Sequence, residues 1–222
     1  MKRYFHEELE TVRSHIMLMG EKAIENVEDA MRALLDSDRR LAEQVIERDE
    51  EIDKIEMQID DEVARYVSLR APVARDLRLL FVAVKSSHDL ERVGDEATSI
   101  ANRMNKALAT GHALETLGDI PRMCELAISM LQDALGCFIQ EDEEKAFGIC
   151  MRDKEVDQLN RKNFAHFVEN MKTDPEKAEI HTELVFISKS FERIADHAKN
   201  IAEEVYYLLT AESLKAVIKN AN

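Results

Sequence analysis

The chain has 222 residues, 45% of them apolar and 34% charged, with only six glycines and three prolines, a profile of long amphipathic helices rather than turn-rich sheet. Its formal net charge of −15 would repel a phosphate backbone and so speaks against nucleic-acid binding. No apolar run approaches the ~20 residues that span a bilayer, the opening MKRYFHEELE has no apolar signal-peptide region, and Cys124, Cys137 and Cys150 lack CxxC spacing, so they read as reduced core thiols of a cytoplasmic protein.

The first predicted helix covers residues 2–35. Phe5, Leu9, Val12, Ile16, Met19, Ala23, Val27, Ala30 and Leu34 step by three or four and form one face. Asp36-Ser37-Asp38 ends it and offers caps for the next helix. That second helix, 39–69, carries Leu41, Val45, Ile52, Ile55, Ile59, Val63 and Tyr66 on one side, and Pro72 stands where a third helix can start. The third, 73–109, has a core line of Leu79, Ala83, Leu90, Val93, Ala97, Ile100 and Met104. Its most apolar piece, Leu79 to Val84, is expected to be buried, and Gly94 marks a place where two helices pass closely. Helices of ~30 residues would be ~45 Å long.

Gly111 to Gly118 is the predicted linker, and Pro121 opens the next helix. From there the first half is replayed. LLDSDRRLAEQVIERDEEID (34–53) aligns with FIQEDEEKAFGICMRDKEVD (138–157) at an offset of 104, as from Asp49 to Asp153. SHDLERVGDEATSIANRM (87–104) aligns without a gap with SKSFERIADHAKNIAEEV (188–205) at an offset of 101, as from Glu91 to Glu192. The second copy has lost three residues near its second interhelical turn, which Thr173-Asp174-Pro175 supplies. A duplicated segment points to two similar units. The expected architecture is all-α: two tandem, pseudo-symmetric three-helix bundles, 1–112 and 113–222, forming an elongated six-helix protein whose short connections make neighbours antiparallel. A short helix is expected after Leu209.

Four acidic pairs spaced i, i+4 stand in repeat-equivalent places: Asp49/Asp53, Glu91/Asp95, Asp153/Asp157 and Glu192/Asp196. Residues four apart share a helix face, so antiparallel second and third helices would bring two pairs together in each half. Carboxylates ~5 Å apart repel by ~3 kcal/mol per pair at an effective dielectric of 20. A metal ion, a facing arginine or protonation must offset that, and Arg92 and Arg193 supply a purely structural salt-bridge reading beside the metal one. Oxygen donors favour hard ions such as magnesium, calcium, manganese or ferric iron. His88 precedes Glu91 by three and is an outer candidate, whereas His197 is expected at the surface or as a cap. In the second copy His88 becomes Lys189 and Asp89 becomes Ser190, so the two sites are expected to differ. None of the seven histidines has a glutamate three residues earlier, which counts against a ferritin-like di-metal enzyme. No nucleophile–base constellation or glycine-rich phosphate loop is present either.

LERVGDEATSIA, FERIADHAKNIAEE, ERDEEID, MRDKEVD and LRAPVARDLRLL, in this order and duplicated, resemble the PhoU family of phosphate-uptake regulators over essentially the whole chain. The resemblance implies two three-helix bundles and metal-binding acidic motifs, here Asp49, Asp53, Glu91 and Asp95, then Asp153, Asp157, Glu192 and Asp196. The implied ions are divalent or trivalent metals such as iron, manganese, magnesium, calcium or zinc. It further implies a non-enzymatic, cytoplasmic regulator that couples a phosphate ABC transporter to a sensor histidine kinase, forms a homodimer and meets the membrane only through its partners. A metal-free helical scaffold is the remaining alternative.

Overall fold

The computed structural model describes residues 2–114 and 116–221, with side chains for 7–114 and 116–218. Among these there are seven α-helices and no strand. The helices are α1 (Lys2–Asp36), α2 (Arg39–Arg70), α3 (Ala74–Ala109), α4 (Ile120–Gln140), α5 (Glu143–Thr173), α6 (Ala178–Thr210) and α7 (Leu214–Ala221), with a 3-10 turn at Pro175–Lys177 between α5 and α6.

The turns are built from the residues that the sequence offers. Asp38 caps α2, its carboxylate accepting from the Arg40 and Leu41 amides. Its repeat equivalent Asp142 caps α5 by accepting from the Lys145 amide. The residues before these caps, Ser37 and Glu141, both hold positive φ, 54° and 56°. The two turns therefore match in backbone as well as in sequence. Ala71 ends α2 in the left-handed region with Pro72 behind it, a regular way to stop a helix.

Each half is a three-helix unit, α1–α2–α3 and α4–α5–α6. The halves meet along α3 against α6 and α1 against α4, so one apolar core runs through both. At the α1–α4 crossing a Cβ on Gly20 would lie 2.4 Å from Leu135 Cδ1, so any larger residue there would have to push the Leu135 side chain aside. The predicted face of α1 is buried from Leu9 to Leu34; Phe5 lies outside the described side chains. Leu41 and Val63 of α2 are only half-buried against the core. Phe81 departs from the expected burial of 79–84. It points outward and is 59% exposed, while Leu79, Leu80, Val82 and Ala83 are buried, because a helix through a short apolar run must turn one of its members to solvent.

An ion pair repeats with the fold. Arg48 Nη2 lies 2.5 Å from Asp29 Oδ2, and Arg152 Nη2 lies 2.5 Å from Asp133 Oδ2. The second guanidine nitrogen donates to Glu25 Oε1 at 3.2 Å in one copy and to Ser129 Oγ at 3.1 Å in the other. These ties clamp α1 to α2 and α4 to α5 one residue before the first acid of each cluster, Asp49 or Asp153. All three cysteines are buried free thiols.

Candidate metal centre

In the first half, α2 and α3 present their acids toward each other because the backbones pass closely. A Cβ on Gly94 would lie 2.5 Å from Asp49 Oδ1 and 3.0 Å from Ile52 Cδ1. The missing side chain is thus the space that Asp49 fills. Asp49 Oδ1 is buried and makes no hydrogen bond, and the nearby Thr98 hydroxyl is likewise without a well-formed one. Burial pushes the Asp49 carboxyl up to about 6; the Thr98 hydroxyl opposes this, while Asp53 and Asp95 add to it. Glu91 is also raised, first by burial and then by Asp95, with Arg92 opposing and Glu56 adding.

Arg92 lies along the rim, with Nε 3.0 Å from Glu91 and Nη1 2.7 Å from Asp95. It neutralises part of the charge but leaves Asp49 uncompensated. One turn further along both helices, Glu56, His88 and Glu91 each offer a ligand atom within 4.8 Å of the others. His88 Nδ1 stands 3.3 Å from Glu56 Oε1. Among the described residues no three of the four expected carboxylates close to that range. Glu91 belongs to both sets, with Asp49, Asp53 and Asp95 on one side and Glu56 and His88 on the other. Glu56 escaped the reading of the sequence, although its position three residues after Asp53 continues the acidic face by a turn. A carboxylate-rich set with one imidazole, beside an orphaned buried oxygen, suits a hard or borderline divalent ion such as Mn²⁺, Fe²⁺ or Zn²⁺.

The second cluster has the same four carboxylates and different company. Asp153 is buried, and Lys199 Nζ sits 2.6 Å from its Oδ2 and 3.7 Å from Asp196 Oδ1. Glu192 is paired with Lys189, and Asp157 has Arg161 Nη2 at 3.7 Å. The Asp196 carboxyl is raised by burial and by Asp153, Glu192 and Asp157, with Lys199 opposing. Burial lowers the Lys199 ammonium, but its bond to Asp153 and the charges of Asp153, Asp196 and Glu203 together raise it. Arg193 does not serve this cluster as expected. It crosses to α3 and binds Glu96 Oε1 at 2.9 Å. His197 is no surface cap: its Nδ1 lies 2.8 Å from Asp89 Oδ1 on the partly buried seam between α3 and α6.

A family model described as the PhoU domain matches this chain twice, over residues 16–104 and 120–205. The chain belongs to the PhoU family. It is 36% identical over 217 residues to the phosphate-specific transport system accessory protein PhoU homolog of Pseudomonas aeruginosa, covering 98% of this chain and 90% of that one. To the PhoU of Escherichia coli K12 it is 33% identical, covering 96% and 88%. The crystal structure of PhoU from P. aeruginosa superposes with a TM-score of 0.90 at 38% identity, covering 94% of this chain and all of that one. The phosphate transport system regulatory protein PhoU from Streptococcus pneumoniae superposes with a TM-score of 0.87 at 30% identity, covering 95% and 99%. The two PhoU matches cover most of α1–α3 and α4–α6, the units that the repeated turns and ion pairs define.

Proposed function

We propose that this PhoU-family chain regulates phosphate-specific transport without catalysing a reaction, coupling a phosphate ABC transporter to a sensor histidine kinase on the cytoplasmic face. The observation that carries this reading is the double PhoU match, together with full-length similarity to proteins described as accessory or regulatory to phosphate transport. A chain of net charge −15 with long acidic helix faces is suited to steering encounters with basic patches on such partners, an attraction that weakens as salt rises. Association into a homodimer is part of the same proposal.

The acidic cluster between α2 and α3 is proposed to bind a metal ion through Asp49, Asp53, Glu91 and Asp95, with Glu56 and His88 as added donors. The buried, unpartnered Asp49 oxygen supports this. A bound cation would fasten α2 to α3 and offset the repulsion between their acids. The corresponding acids of the second half, Asp153, Asp157, Glu192 and Asp196, demand a counter-charge for the same reason.

Deleting the protein from its host is expected to leave the phosphate-starvation response active when phosphate is plentiful. A pull-down at low and high salt, with the kinase cytoplasmic region and the transporter ATPase as baits, tests the contacts. If neither bait binds and deletion leaves phosphate control intact, the regulatory reading fails.

A further inference from the structure

The two acidic clusters share their four carboxylates and an arginine but differ at four positions that bear on whether a cation must come from outside. At the offsets that align Asp49 with Asp153 and Glu91 with Glu192, Glu56 corresponds to Asn160, His88 to Lys189, Gly94 to Ala195 and Thr98 to Lys199. The consequences are visible in the contacts. In the first half the group beside Asp49 is the neutral Thr98 hydroxyl, and the buried Asp49 Oδ1 has no hydrogen bond of regular geometry. In the second half the Lys199 ammonium reaches between Asp153 and Asp196, at 2.6 and 3.7 Å. Where His88 stands beside Glu56 and Glu91, Lys189 instead pairs with Glu192. Asn160 is turned away from metal duty and accepts from the Ser188 hydroxyl at 2.9 Å.

From these substitutions we infer that the clusters are a metal-requiring and a metal-independent version of one brace: the first half takes a divalent cation, and the second carries Lys199 and Lys189 as its own counter-charge. An ammonium hydrogen-bonded to Asp153 and close to Asp196 occupies the position where a metal would need those oxygens. A competing cation would have to displace a partly buried lysine into a less favourable setting. The inference rests on the metal reading of the first cluster, since a site that binds nothing cannot differ in what it binds.

The test is metal content and thermal unfolding of the full chain, stripped with a chelator and dialysed against Mn²⁺. Glu56→Gln with Glu91→Gln should remove nearly all the bound Mn²⁺ and the rise in Tm that it brings. Glu192→Gln with Asp196→Asn, which leaves the Asp153–Lys199 pair in place and so does not threaten folding, should leave Mn²⁺ content and that rise within about 20% of the unsubstituted protein. A drop to about half in the second variant would overturn the inference while leaving the metal reading intact. If the unsubstituted protein retains no Mn²⁺ and gains no Tm from it, the metal reading itself falls and takes the inference with it.

Discussion

Replacing Asp49 by asparagine should act in opposite directions with and without metal. In the metal-free protein the Asp49 carboxyl is pushed from 3.8 up to about 6, first by burial. At about 1.4 kcal/mol per unit the ionised form would cost about 3 kcal/mol, and solvent screening of a half-buried group brings that to roughly 1–2 kcal/mol. The sign follows from proton linkage. Below about pH 4 both folded and unfolded states hold the proton and nothing is lost; between about 4 and 6 the unfolded state releases it first, so stability falls with rising pH; above about 6 the whole penalty applies. Asparagine carries no such penalty. Asp49→Asn should therefore raise the stability of chelator-treated protein near pH 7.5 by roughly 1–2 kcal/mol, or about 3–6 °C in Tm for a chain of this size, and should bring little gain near pH 4.

With Mn²⁺ at about a hundred times its dissociation constant the order should reverse. Bound ion would stabilise the unsubstituted protein by about 2.7 kcal/mol, whereas the variant offers only a neutral amide oxygen in place of the carboxylate and should gain far less. Thermal unfolding followed by circular dichroism, at two pH values and with or without Mn²⁺, gives all four corners. An Asp49→Asn protein that is less stable than its parent without metal near neutral pH would refute the reasoning, because Asp49 would then be satisfied in the folded chain. So would a gain of equal size at pH 4.

Gly94→Ala sets helix propensity, worth about 1 kcal/mol in favour of alanine, against an overpacking cost of about 1–3 kcal/mol from the collision with Asp49 and Ile52. Urea unfolding should show a change between zero and a 2 kcal/mol loss, while Mn²⁺ affinity falls by about tenfold or more as Asp49 is displaced. Arg48→Met and Arg152→Met should each cost about 1 kcal/mol, because Asp29 keeps Arg32 at 2.9 Å and Asp133 keeps Lys145 at 2.8 Å; urea unfolding of the two variants should agree, and a large difference would show that the repeated clamps are not equivalent. A thiol reagent at about pH 8 should label none of the cysteines until the protein is unfolded, since burial holds Cys124 and Cys150 up at about 12 and Cys137 at about 11.

Most of the architecture was legible in the sequence because helical periodicity and the duplicated offset are independent signals that agree. The expected boundaries at 35, 69 and 109 fall at or beside Asp36, Arg70 and Ala109, since Asp38, Pro72 and the 111–118 linker are strong local stops. The short helix expected after Leu209 is α7, Leu214–Ala221. Gly94 was also readable as a close approach, and the repeat alignment brought the four acidic pairs into register. What escaped depends on distance across helices. Glu56 looked like one acid among many until α2 was set against α3 beside His88. Lys199 is merely a charged residue in FERIADHAKNIAEE until Asp153 is 2.6 Å away. Arg193 shares the Glu-Arg-x-x-Asp spacing of Arg92, yet Glu96 on the neighbouring bundle draws it off. Local pattern fixes which face a residue occupies, and the partner on the facing helix decides what it does there.

The two halves retain their carboxylates and exchange the groups that balance them. Four acids crowded between two amphipathic helices are unfavourable in isolation, so a duplicated unit that keeps them must keep a counter-charge as well. Drift alone could add a lysine at one position. Here the positions change in one sense: Glu56 and His88 lose their donor character as Asn160 and Lys189, neutral Thr98 becomes Lys199, and the space above Gly94 is filled by Ala195. Each change makes an outside ion less needed or harder to seat. On the proposed metal reading, the first half would depend on a supplied cation for the α2–α3 contact, while Lys199 ties α5 to α6 through Asp153. Because α3 packs along α6, metal loss would loosen one flank of a seam whose other flank stays braced, so any response of this protein to metal should appear as movement of α2 before unfolding of the whole. Hydrogen exchange on chelator-treated protein should show faster exchange in α2 around Asp49 to Glu56 than in α5 around Asp153 to Asn160; equal protection in the two helices would mean that the second cluster gains nothing from its lysines.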